Sequence, residues 1–150
     1  MIYKNKSFSI KNAISYRKKL TQIELNSKSN EIENYIKDMG AEIVDCTISV
    51  TYAIEESGDE KLIDTEFIIP VSKKIELIDD MQWVDEFNIE NALMTNYKGP
   101  MMGLNQSFIE LTDYIKSNNI VPKSPFLIVT KRDNNVQLGV YVDVDIYVEM

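Results

Sequence analysis

Apolar and polar positions alternate most cleanly in two stretches of the chain. Ile48, Val50, Tyr52 and Ile54 take every second position, with Thr47, Ser49 and Thr51 between them. This is the period of a half-buried strand. Near the end, Val140, Val142, Val144, Ile146 and Val148 line one face, and Tyr141, Asp143, Asp145 and Tyr147 the other. Successive strand side chains point to opposite faces, so the valine row is expected to pack beneath helices. Elsewhere the period lengthens. Leu25, Ile32, Ile36 and Met39 recur at helical spacing after "TQIE", where Thr21 caps and Glu24 reaches back. Gly40 suits the left-handed stop. Met101, Leu104, Phe108, Leu111 and Ile115 form a second stripe, opened by Gly99-Pro100 and closed by Asn118-Asn119. Further strands are expected over "IKNAISY", "IENALMTNY", Phe126 to Thr130, Leu62 to Val71 and Val136 to Val148. "ESGDE" and "RDNN" read as turns.

The two helices belong to two copies of one unit. Phe8 and Phe87 stand 79 positions apart, and the same offset pairs Ile10 with Ile89, Asn12 with Asn91 and Ala13 with Ala92. It also pairs Lys19 with Lys98, Leu25 with Leu104 and Glu31 with Glu110. Tyr35-Ile36-Lys37 meets Tyr114-Ile115-Lys116, and Thr51 meets Thr130 without a gap. Internal repeats of this kind define the architecture. The expected fold is α+β: two tandem β-α-β-β repeats in one pseudo-twofold domain, with an antiparallel sheet and two main helices. Repeat one covers about residues 1–71, a connector about 72–85, and repeat two about 86–150.

Charge narrows the partners. The net charge is −8 and the isoelectric point about 4.6. Nucleic-acid binders carry basic stripes, and anionic membranes repel acidic surfaces, so neither partner is expected. Cationic small molecules or basic proteins suit the charge better. A lone cysteine, Cys46, forms no disulfide within the chain and points to a reducing, cytoplasmic setting. "MIYKNKSFSI" lacks the apolar core of a signal peptide, and no stretch is long and apolar enough for a membrane helix. The chain has no histidine, which removes His-based triads and His-metal sites. With one cysteine there is no thiolate zinc site either, and no glycine-rich phosphate loop is present. No cofactor is expected. Carboxylate-only catalysis remains open.

The doubled unit, the "KGP" in "NYKGPMMGLNQSFIELTDYIKSNN" from Asn96, and "DTEFIIPV" from Asp64 together resemble the GyrI-like small-molecule-binding domain. This is the effector-binding domain of AraC-type and MerR-type regulators, built from duplicated SHS2-type units. The resemblance covers nearly the whole chain. It implies binding of diverse hydrophobic, often cationic, compounds in a cleft between two halves. Some members inhibit DNA gyrase, and others resemble ligand hydrolases. The family places a glutamate on the last strand of the second half. Asp145 matches that position with a shorter side chain, and Glu149 stands where a proline often follows. Glu66 and Pro70 keep the "E-x-x-x-P" pattern in the first half. The regulators' DNA-binding helices are absent, so a stand-alone module is implied. The chain also resembles a Gram-positive family of this size encoded near type VII secretion genes.

The candidate ligand-binding residues are Glu66, Asp143, Asp145, Tyr141, Tyr147, Tyr97, Trp83 and Tyr16. On the last strand, two acids between two tyrosines fit a cation site, because aromatic faces attract a cation and a carboxylate neutralises it. The same pattern fits the solvated outer face of an antiparallel sheet. Glu66 shares a strand face with Asp64, and the same two readings apply. Trp83, Tyr97 and Tyr16 read as pocket walls or as core. Met101-Met102 reads as an adaptable wall or a gap filler. "YRKK" from Tyr16 reads as a solvated strand end, and "IEESGDEK" as an acidic hairpin tip. Three functions follow: a non-catalytic binding module for a hydrophobic or cationic ligand, an acidic protein-interaction accessory, or a hydrolase using Glu66 or Asp145.

Overall fold

A computed structural model of the chain describes residues 1–131 and 141–150. The expected "RDNN" turn, the Val136 start of the last strand and Val140 lie outside the described residues. The elements run β1 (Ile2–Leu20), α1 (Gln22–Asp38), β2 (Cys46–Ser57), β3 (Glu60–Pro70), β4 (Met81–Pro100), a 3-10 turn (Met101–Gly103), α2 (Leu104–Ser117), β5 (Leu127–Lys131) and β6 (Tyr141–Glu149). The fold is α+β, with antiparallel strands and two helices, as the periodicity predicts.

The described residues form two compact units. The first is Ile10–Phe87; the second joins Met1–Ser9 to Asn88–Met150. In the first, β3 is central, pairing with β1 on one side and β2 on the other. In the second, β6 is central between β4 and β5. The registers repeat at the sequence offset. Arg17 faces Glu66 and Lys19 faces Asp64; in the other copy Asn96 faces Asp145 and Lys98 faces Asp143. Val50 faces Glu66 as Val129 faces Asp145. A one-residue slip would exchange the two faces of a strand, so a shared register means shared side-chain placement.

The helix ends repeat as well. The Ala41 amide donates to the Ile36 carbonyl (3.1 Å) and Gly40 to Lys37 (2.9 Å); Ile120 donates to Ile115 (3.0 Å) and Asn119 to Lys116 (3.2 Å). This is the Schellman stop, which needs a left-handed residue after the cap. Gly40 supplies it with φ 80° and Asn119 with φ 55°. The helix starts differ. Thr21 and Glu24 form the expected capping box, whereas α2 follows the turn after Pro100 with no side-chain cap.

Each unit buries its own core. In the first, Ile32 and Ile36 of α1 pack with Ile14, Tyr16, Ile69 and Val71. In the second, Leu111 and Ile115 of α2 pack with Leu93, Ile146 and Val148. Ile146 and Val148 thus pack beneath the helix as expected. Met101 and Met39 leave the predicted stripes: Met101 lies in the 3-10 turn, Met39 is the α1 cap residue, and both are exposed. The first and fourth strands run far beyond the short segments expected, 19 and 20 residues respectively. Each carries an asparagine at positive φ, Asn12 and Asn91, at equivalent positions. Asparagine tolerates this region better than most residues, so the strand can deform without ending.

Gly40→Ala is expected to lower stability by about 1 kcal/mol, because alanine resists the left-handed cap. Asn119→Gly keeps that conformation and should change stability by only a few tenths of a kcal/mol. Urea midpoints of the two variants check the contrast.

Candidate functional site

Asp64 and Glu66 lie two residues apart on β3 and therefore share a sheet face. Arg17, opposite Glu66, does not pair squarely with it. Its guanidinium reaches diagonally and forks onto Asp64, with Nε to Oδ1 and Nη2 to Oδ2 both at 3.0 Å. The same guanidinium stacks over the Tyr52 ring, 3.6 Å from its centroid. Glu66 is held by two neutral donors instead: the Tyr52 hydroxyl donates to Oε1 (2.6 Å) and the Ser15 hydroxyl to Oε2 (2.5 Å). Lys19 pairs with Glu55 at 2.8 Å.

The electrostatics follow from these contacts. The hydrogen-bonded Arg17 guanidinium holds the Asp64 carboxyl below its ordinary range. Burial, then the hydrogen bond and charge of Glu66, push the Tyr52 phenol up to about 12. Arg17 pairs with Asp64 and Lys19 with Glu55, while Glu66 forms no ion pair among the described residues and meets Arg17 only at longer range.

The second unit builds the same ladder and closes it differently. Asp143 and Asp145 on β6 are only 7% and 8% exposed. Asn96, at the position equivalent to Arg17, donates from Nδ2 to Asp143 Oδ1 (3.0 Å), Asp145 Oδ1 (2.7 Å) and the Val144 carbonyl (3.2 Å). Lys98 stands 3.7 Å from Asp143, while Lys131 stands 3.8 Å from Asp143 and 3.3 Å from Asp145. Lys131 occupies the position equivalent to Tyr52. Two acids thus meet two lysines, and among the described residues this cluster is balanced. Buried carboxylates need such partners, since an unpaired buried charge is costly.

The remaining candidates are dispersed. Tyr147 is buried and packs against Phe8, with ring centroids 5.7 Å apart. Tyr141 is 45% exposed. The last strand is therefore not an alternating strand with a solvated outer face: from Val142 to Val148 both faces are buried. The Tyr97 hydroxyl donates to the Pro100 carbonyl, and its ring lies against Gly99 and Gly103. A Cβ at Gly103 would come within 2.1 Å of that hydroxyl, so a larger residue there would displace the Tyr97 ring. Trp83 packs at the edge of the first core, and its Nε1 donates to Asp85 at 2.8 Å. Tyr16, 2% exposed, floors an open groove of about 300 Å³ between β1 and the start of α1. Ser15, Arg17, Tyr52, Asn96, Lys98 and Lys131 complete the two ladders without having stood out in the sequence. Their shared offset was the available signal: Arg17 falls on Asn96 and Tyr52 on Lys131.

Among the described residues, no three His, Cys, Asp or Glu side chains group as metal ligands. No helix among the described residues is long and apolar enough to cross a membrane.

No family model and no curated protein matches the chain. Solved structures do match its fold. The cryo-EM structure of an EcmrR–DNA complex in EcmrR-RPo superposes with a TM-score of 0.68 at 16% identity, over 99% of this chain and 57% of that one. The crystal structure of the EcmrR C-terminal domain superposes with a TM-score of 0.64 at 18% identity, over 99% of this chain and 98% of that one. The chain therefore has the fold and span of that C-terminal domain, a little over half the length of the longer chain.

Tyr52 provides a pH test. Its raised value means that folding gains from the neutral phenol below the ordinary value of about 10. The gain is lost as pH rises through about 12. A late phenolate step in ultraviolet absorbance, absent in Tyr52→Phe, is the expected observation.

Proposed function

We propose that the chain is a non-catalytic binding module for a small hydrophobic or cationic molecule, with Glu66 as its charged anchor. The observation that carries this reading is the unequal charge balance of the two copies. Asp143 and Asp145 are neutralised by the chain's own Lys98 and Lys131. Glu66 is oriented by two hydroxyls, beside an aromatic ring, and retains a charge. Neutral donors fix a carboxylate in place without cancelling it, which leaves the charge for an incoming cation. The resemblance to GyrI-like effector-binding domains and the fold shared with the EcmrR C-terminal domain support a ligand-receiving role. EcmrR was solved with DNA. The net charge of −8 argues against DNA contact by this chain itself. The proposed setting is the cytoplasm, in keeping with the single cysteine.

Benzyltrimethylammonium is the probe. At one hundred times its dissociation constant it should stabilise the protein by about 2.7 kcal/mol. Glu66→Gln should abolish that thermal shift while keeping the far-ultraviolet circular dichroism of the parent. Asp145→Asn should retain the shift even where its own melting temperature falls. A shift equally large in Glu66→Gln, or none with this or related lipophilic cations, rules the reading out.

The β2–β3 tip favours a second reading, that of an acidic interaction protein. Glu55, Glu56, Asp59 and Glu60 are all exposed there, and Ile54 is 62% exposed beside them. Recovery of one stoichiometric basic partner, lost in Glu56→Lys/Asp59→Lys but kept in Glu66→Gln, would favour this reading over ligand binding.

A further inference from the structure

Lys28 projects from α1 over the Tyr16 ring, with Nζ 5.3 Å from its centroid. Its ammonium also pairs with Glu31 at 3.4 Å and with Asp79, just before β4, at 3.5 Å. An aromatic face and two carboxylates from different segments therefore surround one cation. Partial burial works against that charge, but Tyr16, Glu31 and Asp79 outweigh it and raise the ammonium's affinity for its proton. This seat opens into the groove between β1 and α1, whose apolar lining includes Leu20 and Ile23. Ile23 is 79% exposed, an unusual position for an isoleucine beside a groove.

The rest of the groove adds negative charge. Lys18 pairs with Asp80 at 3.4 Å, and Glu24 is held by the Thr21 capping box. Four acids thus face two lysines.

The second copy keeps an acid at the Glu31 position, Glu110, but not the residues that seat the cation. Thr95 replaces Tyr16, Ser107 replaces Lys28, and Tyr97 replaces Lys18. The Tyr97 ring packs onto Gly99 and Gly103. The residues Tyr16, Lys18 and Lys28 that shape the groove are therefore not repeated in the second copy.

We propose that the groove between β1 and α1 binds a compact organic ammonium, whose charge displaces the Lys28 ammonium from its seat over Tyr16. Lys28 is then a tethered occupant that sets how strongly a free cation must compete. Its exchange is feasible because its carboxylate partners are well exposed, 66% for Glu31 and 59% for Asp79, where ion pairs are weak. The ligand's apolar body rests on Leu20 and Ile23. This site differs from the one at Glu66. Tyr16 and Lys18 lie on the opposite face of β1 from Ser15 and Arg17, which belong to the Glu66 cluster.

The test is calorimetric titration of benzylamine into the Glu66→Gln protein, so that the other site is silent. Lys28→Met in that background should bind the probe roughly tenfold tighter, because the tethered competitor is gone. Lys28→Gln should act in the same direction and serves if the methionine variant folds poorly. Adding Glu31→Gln and Asp79→Asn to either should abolish the gain. Equal affinity with and without Lys28, no binding in either Lys28 variant, or a gain that survives loss of both acids overturns the proposal. The Glu66 reading is judged separately, from wild type against Glu66→Gln, so either can fail alone.

Discussion

Two carboxylates two residues apart on a strand paired on both sides share one face and need compensation there. That constraint shapes both units. In the first, Arg17 forks onto Asp64, and hydroxyls hold Glu66. In the second, Asn96 bridges Asp143 and Asp145, and two lysines neutralise them. The difference tracks burial. Asp143 and Asp145 are almost fully enclosed, where an uncompensated charge is least tolerable. Asp64 and Glu66 are only partly buried, and a residual charge there is less costly.

Duplication explains why the comparison between copies is informative. The helix stops, the strand registers and the positive-φ asparagines all repeat at one offset. Against that fixed frame the substitutions stand out. Tyr52 became Lys131, or the reverse, and a hydroxyl clamp on an acid exchanged with an ammonium. Lys18 lines a groove in one copy, whereas Tyr97 packs onto two glycines in the other. Function is therefore sought in the strand positions that differ, not in the helix ends that agree.

Much of the frame was legible in the chain. The capping box at Thr21 and Glu24, the stop at Gly40 and the stripe through Ile32 and Ile36 are local signals, each set by neighbours within a turn or two. The acid positions were legible too, since Asp64 with Glu66 and Asp143 with Asp145 share a strand face by alternation alone. Their partners were not. Arg17 and Lys131 come from other strands, 47 and 14 residues from Asp64 and Asp145 respectively, and a run such as "YRKK" looks like solvated charge until pairing brings it beside an acid. Tyr97 was a candidate pocket wall, yet its ring is committed to two glycines of its own loop.

What the sequence determined by itself was the set of repeated elements, their order and which residues share a face. Periodicity and capping are short-range, and nearest neighbours along the chain impose them. Burial and compensation were decided only in the tertiary structure. Alternation predicted that Asp145 and Tyr147 lie opposite the valines, but not that both faces of β6 are enclosed. Charge count gave −8 for the whole chain, but not that Lys131 is committed to Asp145 while Glu66 is left with two hydroxyls. Those outcomes depend on which strand lies beside which, and contacts across dozens of residues are chosen by the packing of the complete unit.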